Sequence, residues 1–181
     1  MALEEPEYGV LLEAGDIEFR RYEPYIVAEV SVDGPNADRK AFSLLAGYIF
    51  GDNDAEEKMS MTAPVETRGS DYAFVMERKY SMETLPRPID DRVRLQDRPE
   101  RVVAALAFSG RWTQKNIEKH QQRLLTSLDD MGVKIIGEPE LARYNSPFTP
   151  WFMRRNEIIV AIDHTSIEKL SNVASDNAAR L

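Results

Sequence analysis

One order of elements, strand, helix, strand, strand, is written twice into this chain, and few folds accept such a repeat. The first copy runs Tyr25 to Val32, Pro35 to Phe50, Thr62 to Thr67 and Tyr72 to Met76. The second runs Val102 to Phe108, Thr113 to Met131, Glu138 to Tyr144 and Glu157 to Ile162. Most matching elements are separated by roughly 77 residues, the constant offset that an internal duplication leaves. Identity across the offset is low, so the repeat is one of element order. Tyr25 to Val32 is rich in β-branched residues, and Val102 to Phe108 is a nearly unbroken apolar run, as in a strand buried on both faces. Each helix is apolar along one side: Phe42, Leu45, Ala46 and Ile49 in the first, Ile117, Leu124, Leu128 and Met131, with Gln121, in the second. An α+β arrangement follows, in which two β-α-β-β units pair their strands into one curved antiparallel sheet or barrel with a helix packed outside each half.

Punctuation residues place the joints. Asn36 is expected to cap the first helix, and Gly51 and Gly132 to stop the two helices. Pro64 lacks the N–H that a ladder needs, so the segment after it must begin at, or border, an edge or bulge. Arg68-Gly69-Ser70-Asp71 reads as a hairpin turn, Ile17 to Tyr22 as a further strand, and Leu85-Pro86-Arg87-Pro88 as an extended crossing toward Val93 and Leu95. A short helix is expected from Ser166 to Leu170, with loose residues after it. The 181 residues suit one domain, with a core over about 8–163 and a tail over 164–181.

Composition narrows the chemistry. The chain has no Cys, which excludes disulfides, thiolate catalysis, Cys-ligated zinc and iron–sulfur clusters. Asp and Glu outnumber Lys and Arg 31 to 23, a formal charge of -8 that disfavours nucleic acid as a partner. No apolar run approaches the length of a membrane span, so a soluble, cytoplasmic protein is expected. Gly-x-Ser-x-Gly, His-Glu-x-x-His and phosphate-cradling glycine loops are absent.

Several separated blocks, Glu18-x-Arg20-x-Tyr22, Gly47-Tyr48-Ile49-x-Gly51-x-Asn53, Met61-Thr62-Ala63-Pro64-Val65, Leu85-Pro86-x-Pro88, Ala142-Arg143-Tyr144-Asn145 and Arg154-Arg155-Asn156-Glu157, resemble the SOUL haem-binding protein family in its order. The resemblance covers about Tyr8 to Ile162 and implies an α+β fold in which the duplicated β-α-β-β unit closes into a distorted antiparallel β-barrel flanked by two α-helices, a fold shared with bacterial effector-binding domains that hold small amphipathic molecules. It also implies haem or another tetrapyrrole as a reversibly bound ligand, for buffering or delivery. The matching positions are Arg39, Phe42, Ser43 and Ala46 on the first helix, and Phe148, Thr149 and Trp151 in the loop before the last strand. A flat apolar macrocycle wants aromatic contacts, and its propionates want a cation. The chain departs from some relatives at Gly47, where they have a second basic residue, at Thr149, where they have lysine, and at Arg21, where one branch has histidine.

The alternative to a tetrapyrrole carrier is an effector-binding module for another amphipathic ligand, with an enzyme acting on such a ligand a weaker third reading. No metal site is assigned. Axial ligation of haem iron would fall to a His, Met or Tyr; His120, at the border of the second helix's stripe, is a weak axial-ligand candidate, and His164 is expected in solvent. Without the resemblance, Phe42 and Ala46 would read as core residues with Arg39 a solvated flank. Met59 and Met61 share one face of an extended segment and read as core filling. Arg154 and Arg155 point oppositely if extended, which favours pairing with Glu157 or another acid over a joint anion clamp, with Asn156 tying down the loop.

Overall fold

Alternation and apolar runs become nine strands and three α-helices in a computed structural model that describes residues 2–178, with the side chains of 173–178 left aside. The elements are β1 (Tyr8–Ala14), β2 (Ile17–Tyr22), β3 (Tyr25–Ser31), α1 (Ala37–Ile49), β4 (Val65–Arg68), β5 (Asp71–Val75), β6 (Arg94–Arg98), β7 (Arg101–Phe108), α2 (Gln114–Asp130), β8 (Glu140–Arg143), β9 (Asn156–Ala161) and α3 (Thr165–Ala178). The fold is α+β, and the paired strands run antiparallel.

The chain divides into two compact units. The first holds the segment ending at Glu7, Glu23–Glu100 and Ala142–Asn145; the second holds Tyr8–Tyr22, Arg101–Leu141 and the chain from Ser146. In the first unit the strand order is β4-β5-β3-β6, and in the second it is β1-β2-β7-β9. The repeat therefore extends further than its sequence signal. β3 lies between β5 and β6, and β7 lies between β9 and β2. Since β2 and β6 start at Ile17 and Arg94, they share the offset of the other elements. Each unit thus completes its ladder with the strand that precedes the other unit's first helix-bearing repeat in sequence.

Each unit has its own core. In the first, Ala41, Leu45, Tyr48 and Ile49 of α1 pack with Ala28, Val30, Phe74, Met59 and Leu85. In the second, Leu124 and Leu128 of α2 pack with Phe19, Ala104, Leu106, Ile158 and Val160, with Ile117 and Met131 at the margin. The Thr113 side chain accepts from Asn116 N at the start of α2, and Gly132 closes it with a positive φ. Gly51, φ 127°, performs the corresponding stop after α1.

Three expectations are corrected. Asn36 takes the left-handed conformation, φ 60°, and its side chain makes no capping bond; the turn that delivers the chain into α1 occupies it instead. On α1 the buried ridge is Ala41, Leu45, Tyr48 and Ile49, so Phe42 is exposed and Ala46 only half-buried. The last helix runs Thr165–Ala178 rather than Ser166 to Leu170: Asp163 accepts from Thr165 N and Oγ1 and caps its start, and no Gly or Pro follows Leu170 to stop it. The loose end expected after it reaches 179–181, outside the described residues. Elsewhere β4 begins at Val65, directly after Pro64, so the missing N–H falls before the ladder.

Candidate functional site

The outward face of α1, in the first unit, carries the helix half of the expected site. Tyr48 sets this face. Its ring is almost wholly buried and its hydroxyl donates to Pro86 O at 2.8 Å, so an aromatic with a satisfied polar tip takes a core position. Arg39, Phe42, Ser43, Ala46 and Phe50 then share an arc of about 100° on the other side of the wheel. Arg39 and Ser43 are exposed. Phe42 stays 47% exposed although its ring edge meets Phe74 at 5.3 Å between centroids, and Phe50, just past the helix, is 55% exposed. Phe50 was not among the sequence candidates. Its signal was its spacing, four residues after Ala46 and eight after Phe42.

The loop after this helix is locked rather than open. Asn53, fully buried, donates to Tyr48 O and Glu57 O and accepts from Ala55 N and Glu57 N. The block from Gly47 to Asn53 is therefore a helix exit, with Gly47 against the Asp52 carboxylate: a Cβ there would stand 2.6 Å from Oδ2. Met59 is buried and Met61 lies against the same core, as core filling requires.

The loop half, Phe148, Thr149 and Trp151, lies in the second unit. Arg154 builds this loop: Nε donates to Thr149 O at 2.9 Å, a terminal N–H donates to Pro147 O at 2.7 Å, and the guanidinium lies 4.1 Å over the Trp112 ring. Trp112 Nε1 donates to Asn156 Oδ1, which fixes the amide of a fully buried residue whose Nδ2 finds no acceptor among the described residues. Trp151–Met153 form one 3-10 turn, and Gly110 N donates to Trp151 O. Phe148 is 95% exposed, and Trp151, Phe152 and Met153 are half to two-thirds exposed. Thr149 is half-buried.

Neither histidine joins these groups. His120, on α2, stacks on Phe108 at 4.2 Å, and its Nδ1 donates to Asn116 O at 2.7 Å, since a carbonyl can only accept. His164 is exposed beside Asp163. Among the described residues no cluster of three or more His, Cys, Asp or Glu could hold a metal ion.

Among the described residues the buried carboxylates are each paired with arginine. Glu157 takes Arg20 in a two-pronged pair at 2.8 and 3.0 Å and Arg155 at 3.1 Å. Glu29 takes Arg98 and Arg94, Glu66 takes the Tyr25 hydroxyl and Arg98, and Glu140 takes Arg101. Burial works against the Arg20 charge, yet Glu157 and Glu18 hold its pKa well above the ordinary arginine value. Such groups are structural ties.

A family model described as SOUL heme-binding protein matches residues 3–161. Heme-binding protein 2 of Homo sapiens is 30% identical over 171 residues, 79% of this chain and 80% of the relative; its Mus musculus counterpart is 30% identical over 172 residues. Among solved structures, the C-terminal domain of EcmrR superposes with a TM-score of 0.63 at 8% identity, over 81% of this chain and 96% of that one. A hydrolase from Listeria innocua superposes with a TM-score of 0.61 at 10% identity, over 84% and 94%. At such identities these two likenesses speak to the fold alone.

Proposed function

Because this chain belongs to the SOUL heme-binding protein family, we propose that it binds haem or another tetrapyrrole reversibly, for buffering or delivery, and catalyses no reaction on it. The observation that carries this reading is the outward face of α1. There Phe42 and Phe50 present apolar ring surface beside the half-buried Ala46, and Arg39 offers a cation for a propionate. An exposed aromatic pair on a helix whose other side is fully packed is apolar area that folding alone does not use. The residues fit a macrocycle held by its face and carboxylates.

Iron ligation has a smaller part in this reading. The helix face itself carries no histidine: His120 is on α2 and His164 just precedes α3. Metal-free porphyrin should then bind nearly as well as haemin. The pairing of Glu29, Glu66, Glu140 and Glu157 with arginines favours a non-catalytic role, because a general acid or base needs a carboxyl free to exchange its proton.

Equilibrium titration with haemin and with protoporphyrin tests this directly. Saturable binding of both, with affinities within about tenfold, is expected for a face-held ligand. Saturation by neither would move the ligand to a different amphipathic class.

A further inference from the structure

We propose that the loop from Phe148 to Met153 docks this protein onto an anionic lipid surface. This inference gives the loop a role beyond the tetrapyrrole contact that the family resemblance implies for Phe148 and Trp151, and does not rest on that contact. Within six residues the loop presents Phe148, Trp151, Phe152 and Met153, of which Phe148 is 95% exposed and the others half to two-thirds. Four large apolar side chains side by side in solvent are unusual for a surface that has nothing to meet. They are held out by construction. Arg154 binds the carbonyls of Pro147 and Thr149 and stacks on Trp112, Trp151–Met153 form a 3-10 turn, and Gly110 N ties Trp151 O from the neighbouring strand end.

Charge selects the occupant. The chain as a whole carries -8 and is repelled by an anionic bilayer. In the loop and in the segment that meets it at Gly110 the sign reverses: Ser146 to Asn156 and Arg101 to Ile117 contain no Asp or Glu. Arg111 is exposed, with its guanidinium 5.7 Å from the Trp151 ring centroid, and the exposed Lys115 follows in the first turn of α2. Trp and Phe flanked by exposed basic residues match the layering of a bilayer, in which aromatic rings sit at the headgroup level and cations meet lipid phosphates. Among the described residues no helix is long and apolar enough to cross a membrane, so the contact is peripheral.

Co-sedimentation of the haem-free protein with vesicles of phosphatidylcholine alone, and of phosphatidylcholine mixed with phosphatidylglycerol, tests the proposal. The protein should pellet with the mixed vesicles, its Trp emission should move to the blue, and added salt should release it. Phe148→Ser should weaken partition about tenfold and Phe148→Ser/Phe152→Ser about 100-fold, as expected from removing apolar area that inserts. Both variants should melt like the wild type, since neither ring is buried. Failure to pellet with either vesicle, equal partition onto both, or undiminished binding by the folded double variant would overturn the proposal. A lipid-free dimer that the double variant dissolves, without vesicle binding, would assign the loop to a second copy and also overturn it.

Discussion

Glu157, at 1% exposure, receives both prongs of the Arg20 guanidinium, which is itself 3% exposed. Two buried charges tolerate each other's company only as a pair, so removing one leaves the other stranded. Arg20→Met should destabilise the second unit by about 3–5 kcal/mol in urea unfolding, and Arg20→Lys, which cannot fork, should recover only part of it. A loss under about 1 kcal/mol would show that Arg155 alone satisfies Glu157. His120 gives the converse test: held by Phe108 and Asn116 O, it should leave the haem absorption spectrum nearly unchanged when replaced by Ala. Collapse of the Soret band in that variant would make it a ligand. From the sequence, the run Arg154-Arg155-Asn156-Glu157 was legible as charge with opposed directions. Its partners were not, because Arg20 lies 137 positions from Glu157 and Trp112 lies 44 from Asn156.

At the scale of elements, α1 shows where periodicity misleads. Counting only aliphatic and Phe side chains points the stripe through Phe42 and Ala46; admitting Tyr48, whose hydroxyl reaches Pro86 O, turns the helix and brings Phe42 into solvent. The same burial pushes the Tyr48 phenol up to about 12 from 10.0. Its neutral form is favoured in the folded state, so its contribution is complete below the ordinary value and is lost as pH rises from 10 toward 12. Tyr72, also raised to about 12 by burial and by a hydrogen bond to Asp38, adds to the fall in the same window. Tyr48→Phe should flatten the alkaline decline in stability, read as urea midpoints at stepped pH, although it loses the bond to Pro86. An unchanged slope would place the titration elsewhere. β1 and β6 escaped the sequence reading for a related reason. β1 pairs on one side with β2 and exposes Val10 and Leu11, and Leu95 is the one aliphatic residue of β6, so neither shows clean alternation.

For the whole molecule, the repeat was legible as element order, but the exchange of β2 and β6 was not, since pairing partners leave no mark in a single sequence. We propose that the exchange makes the chain one cooperative folding domain. A fragment ending at Arg98 retains β1 and β2 while lacking β7 and β9, the strands that continue their ladder. It should show no cooperative melt; a native-like transition would refute cooperativity. The candidate site was legible only in part: family blocks indicated α1, whereas Phe50 and the orientation of Phe42 required the packed helix. The α1 face is tested most directly by haemin titration of Arg39→Glu. Position 39 is exposed, so the variant should fold like the wild type, and reversal of the charge should weaken haemin binding by about 1–3 kcal/mol, roughly 5- to 150-fold. An unchanged haemin affinity in the folded variant would contradict a site on this face.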